Sequence, residues 1–269
     1  SSIVDEHPKD EYVPNCLLQM ARIHCELGEY EESMKLYRKL SSSFPDFMRD
    51  AVRFELGLVL KKMGRTEEAV EMCLKVGPES ELYPKAVLEA GQMLISLGKF
   101  ERAVDVVKGA IGRLGGEWRV KAYYVLGKAL MGMKEYERAI EAFTEVVGGT
   151  EEGRLLQSAI YGRGVAYFSL GKYRQAQEDF SLLLESEDVK IRYSSRKLLG
   201  MALIRQGKER DAIGHIEKLI SLTSDPYAKA EYMLLLSELL YGAGDYDAFI
   251  VKLDQDGNCL LYTSPSPRD

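Results

Sequence analysis

The sequence predicts an all-α solenoid of about seven helix-turn-helix repeats. Three observations carry this reading: a phrase that returns every 34 to 37 residues, a helical apolar spacing on both sides of it, and small residues at two fixed places around it. Self-similarity at such a period is the mark of stacked repeats, in which each unit buries its apolar face against its neighbours.

The phrase reads apolar, Gly, charged, aromatic, acidic, any, Ala, aliphatic, with some exceptions. Its second position falls at Gly28, Gly64, Gly98, Lys134, Gly171, Gly207 and Gly244, in steps of 36, 34, 36, 37, 36 and 37. Before each mark the apolar spacing is helical: Val87, Ala90, Gly91 and Leu94 precede the third, and Tyr123, Leu126, Gly127 and Leu130 the fourth. After the marks, stretches such as 101–111, 135–147 and 174–184 repeat the period and predict a second helix. Helix A therefore precedes each mark and helix B follows it.

Local punctuation agrees. Glycine at the mark can adopt the left-handed conformation that ends helix A. Glu31, Glu32, Glu67, Glu68, Glu101 and Glu137 then sit in the first turn of helix B, where they complement its dipole. Asp225 and Pro226 read as N-cap and first residue of another helix A, and Gly148 and Gly149 end a helix B. Seven residues before the marks stand Ala21, Gly57, Gly91, Gly127, Gly164, Gly200 and Ser237; five after stand Ser33, Ala69, Ala103, Ala139, Ala176, Ala212 and then Phe249. Small residues at both places let the two helices approach, and larger ones would overpack the contact.

Composition removes several alternatives. With 269 residues, 46% hydrophobic and 29% charged, and a net charge of −6, the chain is neither disordered nor a phosphate-backbone binder, so no nucleic-acid partner is expected. No membrane span is expected either: the richest apolar stretch, 233–241, is broken by Ser237 and Glu238 and falls short of about 20 residues. Cys16, Cys25 and Cys73 have no metal or disulfide spacing. They favour a reducing compartment, with a periplasmic location still open. The last segment, 259–269 (CLLYTSPSPRD), shares no pattern with the rest. It looks like an in-frame translation of a sequencing adapter, so the array is read as 11–253 after a tail at 1–10.

The Gly/Ala, turn-glycine, aromatic and alanine positions together resemble the tetratricopeptide repeat family over about 11–253. The longer step and the SFPD phrase at 43–46 are also similar to bacterial tetratricopeptide proteins of the outer-membrane-assembly and Tol-associated type. The resemblance implies a right-handed superhelix whose concave wall is made by helix A. Carried residue by residue, that groove contains Arg22, Phe54, Lys61, Lys85, Tyr124, Lys128, Tyr161, Phe168, Lys197 and Arg205. With Glu26, Lys62, Gln92, Lys121, Glu231, Glu238 and Tyr241 the wall holds eight basic and three acidic residues. The family's carboxylate clamp for chaperone tails is not reproduced: its Asn sites read Arg22, Leu58, Gln92, Lys128, Val165, Met201 and Glu238. Arg53, Arg163 and Arg196 stand where the family places apolar packing residues, which implies rotated helices or outward-reaching stems.

Catalysis has no basis in the sequence. Phosphate-loop and dinucleotide glycine motifs are absent, and His7, His24 and His215 are whole repeats apart. No cofactor or metal is expected. The function expected is a non-catalytic scaffold that holds a partner protein or peptide, acidic in character, in the groove. Two alternatives are a docking or sensing arm of a larger enzyme or regulator, and the soluble body of a periplasmic assembly lipoprotein. An uncapped seventh repeat is expected to self-associate through Leu235 and Leu239.

Overall fold

A computed structural model describes residues 12–151, 153–242, 250–253 and 259–262. Residues up to Glu135 form one compact unit and those from Tyr136 a second. The first unit contains α1 (Val13–Glu26), α2 (Tyr30–Ser43), α3 (Arg49–Lys62), α4 (Thr66–Leu74), α5 (Tyr83–Ser96), α6 (Phe100–Ile111) and α7 (Gly116–Gly132). The second contains α8 (Tyr136–Gly149), α9 (Gly153–Ser169), α10 (Tyr173–Ser181), α11 (Val189–Arg205), α12 (Glu209–Leu222) and α13 (Pro226–Gly242). Both units are stacks of antiparallel helix pairs, so the chain is an all-α helical-repeat solenoid.

The predicted marks are the joints of this architecture. Gly28, Gly64, Gly98, Gly171 and Gly207 have φ between 70° and 80°. At the first, the Gly28 amide donates to the Cys25 carbonyl and the Glu29 amide to that of His24, satisfying two helix-end carbonyls at once. The same two bonds recur at the next five marks, ending with Gly207 to Ile204 and Lys208 to Leu203. Lys134 adopts φ 61° in the same turn although it carries a side chain. The N-cap at α13 is as predicted: Asp225 accepts from the amides of Tyr227 and Ala228. At α11 the cap is Asp188, which accepts from Lys190 and Ile191.

The small residues mark close approaches. A Cβ at Gly57 would lie 2.9 Å from the Cys73 sulfur and 3.2 Å from the Ala69 carbonyl. At Gly91 it would meet a Val107 methyl at 2.7 Å, and at Gly164 the Phe180 ring at 2.8 Å. In the first repeat, where the pair is Ala21 and Ser33, the buried Ser33 hydroxyl donates to the Ala21 carbonyl at 2.7 Å. Burial between α3 and α4 also pushes the Cys73 thiol up to about 12, which keeps it protonated and unreactive.

Two expectations need correction. Arg163 does not snorkel: it lies inside the second unit with both guanidinium arms on the buried Asp179, at 2.9 and 2.7 Å. Arg53, in contrast, keeps a partly exposed guanidinium that donates to the Lys75 carbonyl and Asp50. Nor is the chain free of strands. Where a helix was expected after Gly244, β1 (Ile250–Leu253) pairs antiparallel with β2 (Cys259–Tyr262), Ile250 opposite Tyr262 and Leu253 opposite Cys259. Apart from Lys252 both stretches are apolar, the first partly β-branched, a composition that suits a short ladder. Gly244 and Phe249, like the tail at 1–10, lie outside the described residues.

Candidate interaction site

The predicted groove residues divide between the units. In the first, two cations are already engaged. Arg22 donates twice to Glu55, at 2.9 and 2.5 Å, while the Tyr37 hydroxyl donates to the same carboxylate at 2.7 Å. The hydrogen bond to Glu55 raises the Arg22 pKa, and burial together with Glu55 holds Tyr37 protonated well above its ordinary range. Lys61 pairs with Glu89 of the next helix A at 2.7 Å. Phe54 is half-buried, and Lys85 is exposed with no side-chain partner among the described residues. Lys128 lies over the half-buried Tyr124 ring, 5.8 Å from its centroid. This is a cation–π contact that leaves the ammonium in water.

In the second unit the aromatic residues serve the core. Tyr161 packs against Phe180 with centroids 6.1 Å apart, and Phe168 meets Tyr173 edge-on at 5.3 Å. One repeat later the equivalent positions are Lys197 and Ile204, which fill less volume. A pocket of about 430 Å³ opens there, lined by Lys197, Met201, Ile204 and Arg205 of α11, Ile216 of α12, and Glu231, Tyr232 and Leu235 of α13. Lys197 sits over the Tyr232 ring at 5.7 Å, and Arg205 is exposed with no side-chain partner among the described residues. The Tyr232 hydroxyl is held protonated above its ordinary range by burial, then by Tyr193 and Glu231. The pocket thus offers an apolar floor beneath two cations and one carboxylate. A site of this kind takes an apolar side chain and fixes its orientation through charge.

Of the ten predicted residues, only Lys197 and Arg205 meet in this pocket. Sequence reasoning found its charges but missed most of its floor: Ile216 lies on helix B, outside the family's groove positions. The column nine residues after the first six marks (Tyr37, Cys73, Val107, Phe143, Phe180, Ile216) is buried throughout and was the available signal. Leu239 and Leu240 are buried, and Leu235 turns into the pocket. No group of three His, Cys, Asp or Glu side chains fit for a metal occurs among the described residues. Nor is any described helix long and apolar enough to cross a membrane.

Tetratricopeptide-repeat family models match residues 10–94, 120–148 with 157–188, and 197–256, together well over half of the chain. The chain belongs to the tetratricopeptide repeat family. Among tetratricopeptide structures, one from Parabacteroides merdae is similar with a TM-score of 0.61 at 15% identity, covering 86% of this chain and 87% of that one. YrrB, a TPR protein with an unusual peptide-binding site, is similar at 0.57 and 18% identity, covering 73% and 96%. Both likenesses concern the fold. A curated relative, ALBINO3-like protein 2, chloroplastic, of Arabidopsis thaliana, is 26% identical over 84% of this chain. The chain spans 40% of that relative's length. As a tetratricopeptide array, its fold is that of a protein-interaction scaffold.

Proposed function

We propose that this protein is a non-catalytic scaffold that holds an acidic partner segment along its helix A faces. The pocket between α11 and α13 takes one apolar side chain of that segment. The observation that carries this reading is that Lys197 and Arg205 flank an apolar pocket while no acid of the chain neutralises Arg205 among the described residues. Elsewhere comparable cations are consumed internally, as with Arg22 and Lys61. Two exposed cations against a single carboxylate beside an apolar recess favour a carboxylate-bearing segment and steer its approach. YrrB's peptide-binding site supports peptides as the partner class for this fold.

Selection of a displayed random 12-residue peptide library on the immobilised chain tests the proposal. Enriched peptides should carry Asp or Glu within a few residues of an aliphatic or aromatic side chain. Lys197→Glu with Arg205→Glu should lose them without loss of helicity. Enrichment of basic or uncharged peptides, or capture undiminished by the reversals, refutes the reading. A second reading, an arm of a longer enzyme or regulator, is supported by the 40% coverage of the curated relative. Recovery of the flanking coding sequence tests it: a catalytic domain there favours it, and its absence removes it.

A further inference from the structure

The first repeat differs from the rest on one face of its helix A. Twelve and five residues before each mark, the side chains of all six later repeats are buried, among them Val52, Val59, Ala86, Met93, Tyr232 and Leu239. In the first repeat these positions are Cys16 and Ile23; Cys16 is exposed and Ile23 is 53% exposed. At about 100° per residue the two lie within roughly 20° of each other. Exposed Tyr12 and Leu27 extend the stripe at either end of α1. Over the fifteen steps from Tyr12 to Leu27 the stripe is about 22 Å long.

The later repeats show what covers this face. The position nine before the mark lies beside it, and there Glu55 meets Arg22 and Tyr37 of the preceding pair. Glu89 likewise meets Lys61 of the preceding pair, and Gly162 lies under the Phe143 ring, which a Cβ would approach to 2.6 Å. Gln19, their counterpart on α1, has no side-chain partner among the described residues. A helix that ends an array carries a polar outer face, which keeps such arrays soluble. The α1 face is apolar instead. Residues 1–11 contain only two aliphatic side chains, Ile3 and Val4, too few to match the stripe.

We propose that the outer face of α1 is an inter-repeat seat, and that its occupant is one more helix pair of the same kind, carried N-terminal to Ser1 in the same polypeptide. The seat is continuous with the stacking interface used throughout the first unit and separate from the groove of the second.

Cys16 lies on the seat and reports its occupancy. The 269-residue chain and the natural chain read upstream from the same locus are alkylated with N-ethylmaleimide, and labelling is followed at Cys16 by peptide mass spectrometry. In the 269-residue chain Cys16 should label as a free thiol while the buried Cys73 does not. In the longer chain Cys16 labelling should slow by at least about tenfold, as expected for a group exposed only by local opening. Ile23→Asp should leave the melting temperature of the short chain unchanged, and in the longer chain restore fast labelling of Cys16. Equal labelling in both chains overturns the proposal, as does a start codon with no helix pair upstream. Protection of Cys16 already in the short chain also overturns it. If that protection grows with concentration, the occupant is a second copy; otherwise it is residues 1–11.

Discussion

Gly164 and Gly214 are both helical glycines of the second unit, and replacing each with alanine should move stability in opposite directions. Alanine in a helix interior is favoured over glycine by about 0.8–1.0 kcal/mol, and this gain is common to both sites. At Gly214 on α12 nothing lies within 4 Å of a new Cβ, so the gain stands alone. At Gly164 on α9 the Cβ would lie 2.8 and 3.1 Å from Phe180 ring atoms and 3.2 Å from the Asp179 Cβ, against about 3.5–4.0 Å for relaxed carbon contacts. Neither neighbour can give way: Phe180 is fully buried, and Asp179 is clamped by Arg163. Overpacking of this kind costs about 1–3 kcal/mol, which leaves a net loss of up to about 2 kcal/mol for Gly164→Ala after the propensity gain. Urea unfolding followed by circular dichroism, with an unchanged slope, gives the difference directly. At about 2–4 °C per kcal/mol, Gly164→Ala should melt several degrees lower and Gly214→Ala a few degrees higher than the parent. If both variants gain stability, the close approach of α9 and α10 is not what holds that position small.

Other perturbations follow from the same structure. Asp179→Ala should cost about 3–5 kcal/mol in urea unfolding, because it strands the buried Arg163 charge, and Arg163→Met with Asp179→Leu should recover most of the loss. Lys134→Gly should raise stability by about 0.5–1 kcal/mol, since the left-handed turn costs a side-chain-bearing residue about 1–2 kcal/mol and glycine returns part of that as chain entropy; a melting temperature no higher than the parent's would contradict this. His215 titrates below its ordinary 6.5, first through burial and then through Arg196, with Asp211 opposing. The unfolded chain therefore takes up this proton before the folded one, so stability should fall as pH drops below about 6.5. His215→Gln should flatten that part of the pH profile of the melting temperature.

The joints and the close approaches were legible in the sequence because each depends on one residue and its fixed distance from the mark. Gly28 and its counterparts, Asp225, and Gly57 with Ala69 are of this kind. Lys134 kept its place because five neighbouring joints define the register, and the backbone there follows the stack rather than its own residue. The Arg163–Asp179 clamp was not legible: arginine at an apolar position is ambiguous until its partner, sixteen residues away on the next helix, is known to be buried. The pocket was half legible, for its cations stand at groove positions while its volume comes from what Lys197 and Ile204 fail to fill. The strands were missed because 250–253 continues an expected helix B and 259–262 had been set aside.

The six identical turns carry a consequence for how such a chain can change length. Five of them lie within one unit, and each of these locks its two helices into one hairpin through a pair of main-chain bonds that need no particular side chain except room for a left-handed residue. An insertion there would break both bonds. Among the described residues the links from helix B to the next helix A carry no such repeated bonding, and they absorb the steps of 34 to 37. Recombination between related genes, or the grafting of a hairpin from one array into another, should therefore succeed when the crossover falls between hairpins and fail when it falls within them.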